Sequence, residues 1–154
     1  MPARLPWLLE QLTGMLPITG CWVMVLAEPS RRRFAATADS LTRRMEALDA
    51  EVVQSPGLQA ARTGNRVLVA DLSDRDAVDR FRQFVPRAVA AGAAAVYSFP
   101  LWSADLRIGG LSMCSDVPVQ LDPVELGQAG LVTDLATALI VGARHDRKAR
   151  EWPL

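Results

Sequence analysis

Two strand-forming runs joined by four residues constrain the fold of this chain most strongly. Residues 94–101 and 106–115 are rich in apolar and strand-forming residues, and residues 102–105 connect them. So short a connection permits antiparallel pairing only, because parallel strands need a crossover of a dozen residues or more. The sheet is therefore predicted to be built around a hairpin.

A second pair of strands is predicted nearer the N-terminus. Residues 21–26 form a continuous apolar run, and residues 34–37 are expected to return beside it. Pro29 and the arginines at 31–33 are interpreted as the solvated turn between the two strands. Residues 67–70 add a short strand, so a mostly antiparallel sheet is favoured over a doubly wound parallel one.

Helical periodicity and capping residues predict the helices around this sheet. A first helix covers residues 5–16, and residues 77–88 form another that Pro86 must kink or split. The remaining predictions rest on capping residues: Asp39 or Ser40 before residues 41–52, Ser55 with Pro56 and Gly64 around a short helix, and Asp122 with Glu125 at the start of the last helix.

Composition bounds the protein class. The chain has 154 residues, which predicts one domain, and its 17 basic and 17 acidic residues balance to zero. A nucleic-acid-binding domain would carry a basic excess. The N-terminus has no signal-peptide pattern and no apolar run approaches a membrane span, so a cytoplasmic protein without membrane contact is expected.

The order of the elements and three local phrases resemble the GAF domain, most of all the GAF domains of actinobacterial regulators that carry an RNA-binding ANTAR domain. Residues 55–71 are similar to the family's short helix, Thr-Gly turn and strand. Residues 84–92 are similar to its helix before the central hairpin, and residues 98–111 to that hairpin. The resemblance covers about residues 4–145.

The resemblance implies an α+β fold, a GAF/PAS-like antiparallel sheet of about five or six strands with helices on both faces. It implies one sensor domain over residues 4–149, with residues 150–154 as a tail that leads toward an output domain. Trp152 in this tail favours a docked end. It also implies a homodimer formed through the N- and C-terminal helices. The chain is then expected to be either a stand-alone sensor or a fragment of a longer regulator.

Within this fold a small-molecule pocket is expected between the sheet and the short helices. Strand alternation places Ser112 and Cys114 on one face, opposite Leu111 and Met113. The candidate ligand-binding residues line this space: Leu58, Phe81, Phe84, Ser98, Ser112 and Cys114. The alternative is that Phe81 and Phe84 fill the space as core residues.

Catalysis, a cofactor and a metal site are not expected. His145 is the only histidine and lies in a charged stretch, so no His-based triad can form. Cys21 and Cys114 are predicted to be buried packing residues, with thiol redox chemistry as the alternative, since some GAF relatives reduce methionine sulfoxide with cysteines.

The predicted function is a non-catalytic, cytoplasmic signalling domain. It senses a small molecule or relays a state through its terminal helices to a regulator. The alternatives are a dimerisation module without ligand, the sensor half of an ANTAR antiterminator, and a small thiol redox enzyme. No direct contact with nucleic acid is expected.

Overall fold

The structure is a computed structural model that describes residues 1–28 and 31–151. Its five strands form one antiparallel sheet in the order β2-β1-β5-β4-β3. The strands are β1 (Gly20–Glu28), β2 (Arg31–Ala36), β3 (Val67–Val69), β4 (Ala95–Ser103) and β5 (Leu106–Ser115). The helices are α1 (Leu5–Met15), α2 (Ser40–Glu51), α3 (Pro56–Thr63), α4 (Arg75–Arg80), α5 (Phe84–Ala91) and α6 (Pro123–Glu151).

Helices cover both faces of the sheet, as the α+β prediction requires. The first face packs against α1 and α6, in a core that includes Leu9, Val23, Leu111 and Ala136. The other face packs against α2, α3, α4 and α5. Because β1, β5 and β4 are central, burial on both faces explains their almost continuous apolar sequences.

Local capping chemistry sets the helix starts as the sequence predicts. The side chain of Asp39 accepts a hydrogen bond from the Thr42 amide at the start of α2. At the start of α6, the Asp122 amide donates to Glu125 while the Glu125 amide donates to Asp122, at 2.9 and 2.8 Å. These contacts satisfy amides that have no partner within the helix.

Two local predictions were wrong in detail. Residues 31–33 belong to strand β2, where Arg33 pairs with Val25 of β1, and are not part of a turn. The helix predicted over 77–88 is split, as expected, but the division lies between Arg80 and Phe84 and not at Pro86. Pro86 lies in the first turn of α5, where a missing amide hydrogen costs no helical hydrogen bond.

The predicted tail reaches past the described part of the chain. Helix α6 extends to Glu151, whereas Trp152 and its predicted docking lie outside the described residues, as does the turn position Pro29. Residues 123–146 of α6 are also apolar and long enough to cross a membrane by length and composition alone, and 33% of their apolar 18-residue window is buried in the protein. A core helix passes the same test.

Candidate functional site

All the predicted ligand-binding residues lie on the sheet face covered by the short helices, and all are buried. Ser98 and Ser112 are direct cross-strand partners, and their hydroxyl oxygens are 2.7 Å apart. Leu58 of α3 packs with Met24 and Ala61 in a small cluster beside them. Phe81, Phe84 and Cys114 belong to the neighbouring core cluster.

Protein atoms surround these side chains on every side. Phe81 and Phe84 are 1% and 0% exposed, and they pack in the same cluster as Trp22 and Cys114. The structure thus brings Ser98 and Ser112 together under α3 and places the two phenylalanines among the core residues. Binding of a ligand by the predicted residues stays a prediction.

Helix α3 lies directly on the sheet at a contact made by two glycines. A Cβ atom added to Gly110 of β5 would lie 2.6 Å from the carbonyl oxygen of Gly57. A Cβ atom added to Gly57 would lie 2.8 Å from the Ser112 hydroxyl oxygen. The backbone contact excludes a side chain at Gly110, and a side chain at Gly57 would displace the Ser112 hydroxyl, so both glycines permit the close approach of α3 to β5.

Asp49, near the end of α2, is the functional candidate that the sequence reading did not identify. It is 1% exposed, accepts a hydrogen bond from Trp22 Nε1 at 2.9 Å and accepts another from the Ser55 hydroxyl at 2.5 Å. Its position four residues after Met45 places it on the buried face of α2. This spacing could have identified Asp49 from the sequence, because an aspartate on the buried face of a helix requires hydrogen-bond partners.

Asp49 and the serines form what we call the polar cluster: Asp49, Ser55, Ser98 and Ser112. The Ser55 hydroxyl donates its one hydrogen to Asp49 and accepts from the Leu58 amide at 3.1 Å, so it also caps α3. Burial raises the pKa of the Asp49 carboxyl, although hydrogen bonds from Ser55 and Trp22 and the charge of Arg32 act against this shift. The cluster links α2 and α3 to strands β4 and β5, and the hydrogen bond from Trp22 to Asp49 connects it to β1.

Arg32 of β2 has a structural part in this arrangement. Its guanidinium donates to the main-chain carbonyls of Asp49 and Val52, the latter at 3.0 Å. These carbonyls lie at the end of α2, where they have no helical partner. The side chain thus fixes the α2 end instead of lying in a solvated turn.

The other end of α3 is held by the β4–β5 hairpin. Trp102 Nε1 donates to the carbonyl of Ala61 at 2.8 Å, and its ring lies over Gly64. Gly64 has a φ of 74°, a left-handed conformation that glycine adopts without strain. The guanidinium of Arg107 lies 5.3 Å from the centre of the Trp102 ring on the hairpin. Helix α3 is therefore fixed at both ends by side chains from other elements.

The cap on α3 makes a specific stability prediction. Replacing Ser55 with alanine removes both the cap and one hydrogen bond to Asp49, so we expect a loss of about 1–2 kcal/mol in the free energy of unfolding. Urea unfolding followed by circular dichroism measures it. Ser40→Ala is the matched control, because Ser40 is exposed at the start of α2; equal effects from the two variants would contradict the cap.

The two cysteines lie on adjacent strands but on opposite faces of the sheet. Cys21 pairs with Met113 and belongs to the α1–α6 core, where its thiol donates to the Leu9 carbonyl at 3.3 Å. Cys114 belongs to the other core, and its sulfur lies 3.6 Å from the Thr42 hydroxyl. Burial raises the pKa of Cys21 to about 12 and that of Cys114 to about 11. Buried, protonated thiols on opposite faces cannot act as a redox pair.

The part of the chain that the structure describes offers few other groups that could bind a metal or a ligand. Within residues 1–28 and 31–151, no three His, Cys, Asp or Glu side chains lie close enough to hold a metal ion together. His145 is exposed on α6. A groove of about 230 Å³ separates α2 from α5, and Glu51 forms an ion pair with Arg87 at its edge. None of the predicted ligand residues lines this groove.

Searches with the sequence found no matching protein-family model and no significant match among curated proteins. Solved structures do match. A domain of a two-component sensor histidine kinase protein from Sinorhizobium meliloti is 20% identical with a TM-score of 0.74, over 95% of this chain and 94% of that one. The GAF domain of a phosphoenolpyruvate-protein phosphotransferase from Acinetobacter is 12% identical with a TM-score of 0.67, over 94% and 84%.

An enzyme shares this architecture as well. The type II free methionine-R-sulfoxide reductase from Thermoplasma acidophilum is 12% identical with a TM-score of 0.63, over 91% of each chain. The alignments extend over nearly the whole of this chain, and the element order and sheet agree with the predicted architecture. The chain therefore has the fold of GAF domains.

Proposed function

We propose that this protein is a non-catalytic signalling domain in which a small molecule bound under α3 alters the packing of α1 and α6, and so the pairing of two copies. The observation that carries this proposal is the exposed face of α6. Val124, Leu131 and Leu135 are 71%, 60% and 48% exposed. The sequence places apolar side chains there although the domain core does not use them.

The spacing of this face favours a second helix as its partner. Val124, Gln128, Leu131, Leu135 and Ala138 follow one another at intervals of four, three, four and three residues. That pattern is the 3.5-residue repeat of a coiled-coil seam. Helix α6 has 29 residues and so extends about 44 Å, enough for several such turns.

Helix α1 lies beside α6 and adds to the same side of the domain. The two helices contact one another, and α1 exposes Trp7 and Met15, at 63% and 46%. Such grouped exposed apolar residues mark interaction surfaces. A homodimer through the terminal helices accounts for them without a membrane, and we place this domain in the cytoplasm as part of the proposal.

A path from the candidate site to this surface crosses the sheet. Ser112 faces α3, whereas its neighbours Leu111 and Met113 on β5 face the α1–α6 core. Displacement of β5 by a ligand would shift both layers, which makes a population shift between two helix arrangements the expected mechanism. From the resemblance, we propose that α6 transmits this change to a regulator of the ANTAR type.

The dimer is tested by introducing charge into the seam. We expect the wild-type protein to be dimeric and Leu131→Glu combined with Leu135→Glu to weaken the dimer by about 100-fold or more, because the charges would be buried without partners. Analytical ultracentrifugation measures the dissociation constant. Val89→Glu on α5 is the matched control, since Val89 is 49% exposed but lies away from α6.

A wild-type monomer at all concentrations, or a double variant that stays dimeric, would contradict the α6 interface.

Native mass spectrometry of protein purified from its own host tests the sensing part. A retained mass that is released on denaturation supports a sensor.

A dimerisation module without ligand is the second candidate function, because protein atoms already fill the space around the predicted ligand residues. A dimer that never retains or binds a small molecule supports this candidate. Thiol redox catalysis receives no support from Cys21 and Cys114, which lie on opposite faces.

A further inference from the structure

The polar cluster contains a buried carboxylate that forms no ion pair with the side chains that the structure describes. Asp49 accepts hydrogen bonds from Trp22 and Ser55, both of which are neutral groups. Among the side chains that the structure describes, neither ion pair includes it. Both carboxylate oxygens accept hydrogen bonds from neutral groups, and no cation bonds directly to them among the described side chains, so a cation that did so would stabilise the charged form.

Arg32 lies near Asp49 but uses its guanidinium to bond main-chain carbonyls. The Arg32 guanidinium donates to the main-chain carbonyls of Asp49 and Val52. It therefore lies beside the carboxylate without a direct bond to it. Asp49 Oδ2 lies near α3, 3.4 Å from the position of a Cβ atom added to Gly57.

Three oxygen acceptors surround the position that a Cβ atom on Gly57 would take. A Cβ atom added to Gly57 would lie 2.8 Å from Ser112 Oγ, 3.4 Å from Asp49 Oδ2 and 3.9 Å from Ser98 Oγ. One carboxylate and two hydroxyl oxygens around one point suit a group with three N–H donors and a positive charge. A primary ammonium is such a group.

We propose that the polar cluster binds the primary ammonium group of a small molecule when α3 moves away from the sheet. This inference rests on the proposed function, for which it names the ligand chemistry. The ammonium takes the place of the Gly57 backbone, donates to Asp49 and the serine pair, and bonds a positive charge directly to the carboxylate.

Ligand binding and α3 capping then compete for one carboxylate. Ser55 donates to Asp49 and at the same time caps α3 through the Leu58 amide. An ammonium that takes over this carboxylate releases Ser55 and weakens the start of α3. Trp102 still holds the other end through the Ala61 carbonyl, so α3 opens from its N-terminal end.

The test uses a matched set of probes with the wild-type protein. Benzylammonium carries the charge and the N–H donors, benzyltrimethylammonium carries the charge alone, and benzyl alcohol carries neither the charge nor an N–H donor. Binding is followed by the nitrogen–proton NMR signals of Gly57, Gly110 and the Trp22 indole. We expect the shifts of these three signals to give benzylammonium a dissociation constant at least tenfold lower than that of either other probe.

Two variants refine the test. Asp49→Asn should weaken the binding of benzylammonium at least tenfold. Ser55→Ala removes the competing donor and should strengthen that binding about tenfold. If Asp49→Asn does not fold, the wild-type probe series and Ser55→Ala still decide the question. Equal binding of all three probes, or no shift at these signals even with Ser55→Ala, would overturn the inference.

The α6 signals separate this inference from the proposed function. If benzyl alcohol rather than benzylammonium binds under α3 and shifts Leu131 and Leu135, the ammonium assignment fails and the relay stands. If benzylammonium binds at Asp49 but neither α6 nor the dimer responds, the site stands and the relay fails.

Discussion

Gly110→Ala is expected to lower the free energy of unfolding by about 2–3 kcal/mol, the upper range for overpacking of a close contact. The added Cβ would lie 2.6 Å from the Gly57 carbonyl oxygen and 3.3 Å from its carbon. Both atoms belong to a backbone that no side-chain rotation can displace. Helix α3 must therefore rise from β5.

Gly127→Ala provides the matched control for this substitution. Gly127 lies on α6 with no atom within 4 Å of the added Cβ, so alanine should stabilise the helix by about 0.5–1 kcal/mol. Urea unfolding measures both changes. Hydrogen exchange should accelerate in α3 for Gly110→Ala while the α1–α6 core stays protected. Equal stability of the two variants would show that α3 does not rest on β5 in solution.

The short helix α3 illustrates what could be predicted from local sequence. Ser55, Pro56 and Gly64 determine its start and end through capping and a left-handed residue, and these effects involve neighbours in the chain. Strand alternation likewise placed Ser112 and Cys114 on one face, because side-chain direction has a period of two.

Long-range contacts explain the predictions that differed from the structure. Residues 31–33 form a strand because β1 supplies their pairing partners, and three successive arginines give little strand signal alone. The partners of Asp49 are 27 and 6 residues away in sequence, so the polar cluster appears only when β1 and α3 meet α2. The packing of Phe81 and Phe84 in the core depends on long-range contacts of the same kind.

Asp49→Ala is expected to destabilise the protein by about 3–4 kcal/mol. The substitution removes the acceptor for Trp22 Nε1 and the Ser55 hydroxyl, which are both buried, and leaves a small cavity. Asp49→Asn keeps an acceptor oxygen and similar volume, so it should lose only about 1 kcal/mol. Urea unfolding at pH 7 compares the two, and equal losses would show that hydrogen bonding at this position contributes little.

The pH dependence of the asparagine variant then isolates the carboxyl group of Asp49. Its folded-state pKa is raised, chiefly by burial, above the unfolded value of about 3.9. Between these two pKa values the native state binds more protons than the unfolded state, so the stability contributed by Asp49 rises as the pH falls. Wild type should therefore gain stability relative to Asp49→Asn as the pH is lowered from 7 toward 4.

Asp39 produces the opposite slope but does not disturb this comparison. Burial would raise the pKa of Asp39, yet hydrogen bonds from Thr37 and Thr42 outweigh burial and lower it. Its stabilising contribution is therefore lost as the pH falls through the folded pKa, equally in wild type and variant. The difference between the two proteins reports Asp49 alone. A difference that is flat with pH, or that favours the variant at low pH, would show that the Asp49 carboxyl is not buried as a charged group.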